Sequence, residues 1–347
     1  MDPADKAVLR LASGLCLAVL VAYGLPLPMP FIVCLLAVML LCKPGPPMSL
    51  LKGAAMALLL AMLVVAGVLM VPLLEYYALG GIILTGAVLY GLFFAGLRTA
   101  NPLTMILVVS FTMIPVAGVA DQALVTVIGV ALGIGVFVGV VVGRVSQVFF
   151  PDPPLAAAAK AGPPSLGREA ASWIALRATL IVMPVFVLAL TDPSFYLAAI
   201  MKTVALGQQA GSAKARSAGR ELVGSTMMGA WMALLVWFGL SLWPNLWTLM
   251  LWMSGAALWS GARIFGLKAS AFGPSFWSNA LLTMLILLGP AIEDSASGKD
   301  VWQASATRVV LFVGVSLYAW ATVWALERWR ASRSRALFLT VLERGTR

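Results

Sequence analysis

The sequence predicts an all-α polytopic membrane protein, and three observations carry the prediction. Hydrophobic residues make up 62% of the chain and charged residues 10%, with a mean hydropathy of +1.00, outside the range of a soluble chain of 347 residues. Apolar runs close to the length that crosses a hydrocarbon core of about 30 Å recur from one end to the other. Lys and Arg fall between those runs, on one side of the expected membrane. The 12 Trp and 32 Gly suit the same class, because indoles favour the interface and glycine lets helices approach closely.

Twelve spans are expected, at 7–25, 29–42, 50–72, 78–97, 102–118 and 122–147, then at 172–191, 193–206, 221–241, 245–262, 275–291 and 301–326. The first run has no A-x-A-like cleavage site, and Ser13-Gly14-Leu15-Cys16 is no lipobox, so it reads as an uncleaved helix. The second and eighth runs are the shortest of their halves and are bounded by breakers: Pro28, Pro30 and Pro44-Gly45, then Pro193, Gly207 and Gly211. In the sixth run Gly129, Gly133, Gly135, Gly139 and Gly143 make overlapping GxxxG patterns, read as close helix packing. A Pro/Ala/Gly linker separates the sixes. The domain reading is therefore a first repeat at 1–150, a cytoplasmic linker at 151–171, a second repeat at 172–330 and a basic cytoplasmic tail at 331–347.

The cations orient the chain. Twenty of the 23 Lys and Arg fall at ends and loops on one side, while Glu75, Asp121, Asp192, Glu293, Asp294 and Asp300 lie toward the other, so both termini are expected in the cytoplasm. The halves echo one another: Leu9-Arg10 and Leu176-Arg177 open the first and seventh spans, and Arg98 and Arg263 close the fourth and tenth. An even number of spans per half predicts parallel repeats about an axis along the membrane normal.

Lys202 is the anomaly. It lies nine residues beyond Pro193, so ~13 Å into its helix, where a lysine costs roughly 2.5–3.5 kcal/mol on insertion scales. Two readings are open: an ammonium that lines an anion pathway, or one that snorkels to a nearby inner surface. Arg10, Arg98, Arg177 and Arg263 likewise read either as interfacial anchors or as a basic vestibule that concentrates anions. The chain has no His, and no carboxylate falls in mid-span, so proton coupling would fall to rim acids: Asp121, Asp192, Glu221 or Glu293. Cys16, Cys34 and Cys42 read as small buried hydrophobes, and no HExxH, GxSxG or Walker-type motif is present. No enzyme activity, metal, cofactor or nucleic-acid partner is expected.

Six-helix halves that open with Leu-Arg, continue through a short second helix, and lead by a basic residue into a glycine-bearing third helix (Lys52-Gly53; Arg220 with Gly224 and Gly229) resemble the fusaric-acid-resistance superfamily of FUSC-like aromatic carboxylic acid exporters. The resemblance implies export of small organic acids across the bacterial inner membrane, alongside a periplasmic membrane-fusion partner. The chain lacks the large soluble domains of many such proteins. The six-helix unit is also distantly similar to that of plant malate channels, whose dimers line a pore with basic residues. Three functions fit these features: a secondary organic-anion exporter, a passive organic-anion channel, and a membrane assembly factor whose charges serve topology alone.

Overall fold

The computed structural model of the chain describes residues 2–25, 27–42, 50–99, 104–151, 167–212 and 217–345. Among them every regular element is helical: α1 (Pro3–Gly24), α2 (Pro30–Leu41), α3 (Leu50–Tyr76), α4 (Ala78–Thr99), α5 (Thr104–Ala120), α6 (Gln122–Phe149), α7 (Arg168–Ala189), α8 (Pro193–Ser212), α9 (Ala218–Leu242), α10 (Leu246–Ile264), α11 (Pro274–Ala296) and α12 (Val301–Gly345). Eight helices, α1, α3, α4, α6, α7, α9, α11 and α12, contain a stretch long and apolar enough to cross a membrane. Leu58, Met62, Leu69, Ile83, Phe137 and Phe238 stand on the outside. An apolar exterior of this kind is costly in water and suits lipid, so the chain has the form of a multi-pass membrane protein.

Local sequence accounts for several helix ends. Asp2 and Asp5 form a reciprocal capping box on α1, Asp121 accepts from the Ala123 N–H at the start of α6, and Asn245 does so from Thr248 at the start of α10. Prolines open α2 and α11, where the missing N–H has no helical partner to lose.

Three of the boundaries that differ from the sequence expectation bear on the site. α8 does not stop near 206 but runs to Ser212, because Gly207 acts as a contact and not as a breaker: a Cβ there would lie 3.4 Å from the Ala178 carbonyl of α7. α7 begins at Arg168, four residues before the expected start, with Glu169 in its first turn, where a carboxylate suits the helix dipole. α12 continues well past 326, through the expected tail, to Gly345. The expected linker falls largely on residues 152–166, which lie outside the described residues, as do Lys43, Lys160, Lys214, Arg216 and Arg347.

Packing follows a pattern that recurs between the first six helices and the last six. α1 rests on α2, α6 and α10, and α7 rests on α8, α12 and α4. α3 packs against α4, α5 and α6, and α9 packs against α10, α11 and α12. α2 meets α6 and α11, while α8 meets α12 and α5. α8 also touches α9 and α11, which sets Lys202 among neighbours of the last six helices. The interior is built from α2, α5, α8 and α11: Phe31–Met39, Thr104–Ala117 and Leu197–Gly207 are buried on all sides, as expected of helices apolar around their whole circumference. Of the GxxxG glycines in α6, Gly135 and Gly139 admit α2, since a Cβ on either would stand 3.3 Å from an α2 backbone Cα.

Candidate functional site

The lengthened α8 changes the position of Lys202. Ten residues now separate it from Ser212, ~15 Å along the axis, too far for a four-carbon stem to reach the helix end. Its side chain is 0% exposed, so it neither snorkels nor faces lipid. Its Nζ donates to the Thr283 hydroxyl of α11 at 2.7 Å. No carboxylate lies within ion-pair distance of it among the described residues.

Thr283 is the first of a string of polar side chains between α8, α9 and α11. The Thr283 hydroxyl donates to the Asn279 carbonyl at 2.6 Å, and Asn279 Nδ2 donates to Ser225 Oγ at 2.7 Å. The Ser225 hydroxyl lies 3.2 Å from Gln209 Oε1, and Gln209 Nε2 donates to the Glu221 carbonyl at 3.1 Å. The Glu221 carboxylate in turn accepts from the Ser217 hydroxyl at 2.7 Å. The string thus runs from the middle of α8 to the start of α9. One acceptor in it, the buried Asn279 Oδ1, has no hydrogen-bond partner among the described residues. Nearby, the hydroxyls of Thr226 and Ser316 pair at 2.7 Å and join α9 to α12.

Sequence reasoning does not single out Thr283, Asn279, Ser225 or Gln209, although a signal is present. Asn279 and Thr283 stand one turn apart on one face of an apolar helix, and Gln209 follows Lys202 by seven residues, again on one face. At the crossing of α9 with α11, Gly229 makes the close approach possible: a Cβ there would lie 2.5 Å from Thr283 Cβ and 2.6 Å from the Ala280 carbonyl.

The arginines have partners of different kinds. Arg177, expected at the mouth of α7, lies nine residues past Arg168 and is buried. It pairs with Glu327 of α12 at 3.0 Å and donates to the Ala210 carbonyl near the end of α8. The Trp173 indole N–H donates to the same Glu327 oxygen at 3.1 Å, so the three helices α7, α8 and α12 are clamped together. The Arg263 guanidinium packs against an edge-to-face pair of indoles, 4.1 Å from the Trp259 ring and 4.7 Å from that of Trp277. Arg98 is exposed in the last turn of α4, and Arg10 is half-buried in α1.

The rim carboxylates also divide. Asp121 caps α6, and Asp192 accepts from the Phe195 N–H at the start of α8, so both have helix-terminal roles. Glu293 is half-buried in the last turn of α11 beside Asp294, whose carboxylate is taken by Arg308 at 2.7 Å. No group of three or more His, Cys, Asp or Glu among the described residues could hold a metal ion.

A family model described as a protein of unknown function (DUF2955) matches residues 7–145, which covers α1 to most of α6. No curated protein and no solved structure matches the chain.

Proposed function

We propose that the chain is an exporter of small organic, principally aromatic, carboxylic acids in the bacterial inner membrane, with both termini cytoplasmic and a periplasmic membrane-fusion protein as partner. In this reading α1–α6 and α7–α12 are parallel repeats, which the recurring helix contacts support, as do Pro115 and Pro290 inside the corresponding α5 and α11. The observation that carries the proposal is Lys202: a fully buried amino group in the middle of a central helix, with one neutral hydroxyl as its partner. Buried cations without counter-ions are costly, and a carboxylate supplies the missing charge. Thr283 and Asn279 add neutral hydrogen-bonding groups beside it. Arg98 and Arg10 serve to draw anions toward the inner face, while Arg177 and Arg263 hold helices in place through Glu327 and the two indoles.

Complete enclosure of Lys202 favours a carrier that opens to one side at a time over a passive channel, whose pore residues would be in contact with water. Counterflow in proteoliposomes tests the reading. Labelled benzoate should exchange against internal benzoate without steady conductance. A benzoate current supports the channel instead, and neither signal supports the assembly factor.

A further inference from the structure

We infer that Lys202 carries the coupled proton as well as the anion, so that one proton and one carboxylate occupy the middle of α8 together and move in the same direction. This rests on the proposal that the chain transports organic anions, and it assigns to Lys202 the coupling that the sequence left to rim acids.

Few groups can exchange a proton at that depth. Among the described side chains of the twelve helices, the carboxylates other than Glu327 lie within the first or last turn, as Asp5, Glu75, Glu169, Glu221, Glu293 and Asp294 do, and Glu327 is held by Arg177. The arginines stay protonated throughout and cannot serve. α8 packs against α5, α7, α9, α11 and α12, and each of these brings its own charged groups or none. α5 has no ionisable side chain. α7 brings Arg168, Glu169 and Arg177, of which Arg177 binds near Ala210, ~12 Å inward of Lys202 along α8. α9 brings Arg220 and Glu221, at the far end of the polar string. α11 brings Glu293 and Asp294, ~15 Å beyond Thr283. α12 brings Arg308, paired with Asp294; Tyr318, bonded to the Leu180 carbonyl; and Glu327, Arg328 and Arg330 near Trp173 and Trp324. On α8 itself the remaining titratable group is Tyr196, near the opposite end from Gln209.

An ammonium at Lys202 has no opposite charge beside it, and a carboxylate arriving there would meet no charge except that ammonium. Each ion is costly alone and each offsets the other, so binding of one strengthens binding of the other by the same factor. The step balances simply. The amine lone pair of Lys202 takes a proton from water, the carboxylate binds as the anion, and on the other side the anion leaves while the ammonium returns its proton to water. Net charge moved is zero.

The polar string gives the route a direction. Asn279, one turn before Thr283, begins a side-chain string through Ser225 and Gln209 toward the start of α9, whereas Met284–Leu288 on the other side of Thr283 are buried and apolar. Access is therefore from the end that holds Ser217 and Glu221. Transport is electroneutral, so export runs down the gradient of acid made inside and is not driven by membrane potential.

The test uses the full chain in proteoliposomes, with labelled benzoate, valinomycin-set potentials, imposed proton gradients, and subtraction of protein-free vesicles at the same pH. Wild-type uptake should rise several-fold with an inward proton gradient and be unchanged by potential. Lys202→Arg should lose the proton response and gain sensitivity to potential. Wild-type uptake that follows potential and ignores the proton gradient overturns the proton assignment while leaving anion transport standing. Retention of the proton response in Lys202→Arg overturns it equally. No uptake above protein-free vesicles overturns anion transport itself, and the proton assignment with it. Because wild-type uptake alone can overturn either assignment, the test stands even where the Lys202→Arg chain fails to fold.

Discussion

The amino group of Lys202 and the hydroxyl of Thr283 meet 2.7 Å apart across the interface of α8 and α11, and no other side chain contacts Lys202 through a hydrogen bond among the described residues. The amino group in the interior is therefore positioned by one neutral group, itself held by the Asn279 carbonyl one turn away.

Removing that oxygen tests the relationship. Thr283→Val keeps the shape and deletes the acceptor, so benzoate counterflow should fall about tenfold, the effect of losing roughly 1.5 kcal/mol from a hydrogen bond to a charged group. Thr283→Ser, which restores the oxygen, should recover it. Initial rates at matched protein content check both.

Gly229 provides a second test through packing. Gly229→Ala places a Cβ 2.5 Å from Thr283 Cβ, so α9 and α11 must separate, at a cost of about 1–3 kcal/mol. Gly133→Ala, where nothing lies within 4 Å, should be neutral or stabilising by up to about 1 kcal/mol, because alanine favours the helix. Thermal unfolding in detergent compares the pair, and equal losses would contradict the close crossing.

Part of this arrangement is legible in the sequence, and the rest is hidden for physical reasons. The short α2 is legible because Pro28 and Pro30 stop the chain from entering the helix earlier. The length of α8 is not, because Gly207 and Gly211 look like breakers until Ala178 of α7 is known to lie against Gly207. Lys202 is conspicuous as a cation in an apolar run, whereas Ser225, Asn279 and Thr283 look ordinary in such runs. Their significance depends on the crossing of α9 with α11, which local periodicity does not encode. Arg177 stands out in the sequence but reads as lying at the mouth of α7, since the polar first turn from Arg168 resembles linker.

The clamp that joins α7, α12 and the end of α8 should behave as one unit. Arg177→Ala leaves Glu327 without its cation and strips the Ala210 carbonyl of its donor, and the loss should be about 2–3 kcal/mol, below the range for a fully buried pair because the Glu327 side chain is 30% exposed. The double variant Arg177→Ala/Glu327→Ala should be more stable than the sum of the single losses. A double-mutant cycle by thermal unfolding reads this coupling, and strict additivity would show that the two residues act independently.

Where α11 gives way to α12, Arg308 and Asp294 join the two helices at 2.7 Å, with Lys299 3.9 Å from the same carboxylate. Asp294→Asn should lower thermal stability more than Lys299→Ala does, since Lys299 is largely exposed and its pairing is screened. Melting of the two variants side by side checks the order.

The most direct test of the anion site is counterflow of labelled benzoate through Lys202→Ala, with membrane abundance and the gel-filtration profile matched to wild type. Exchange should fall to the level of protein-free vesicles. Exchange at the wild-type rate would contradict the anion site and remove Lys202 from the transport pathway.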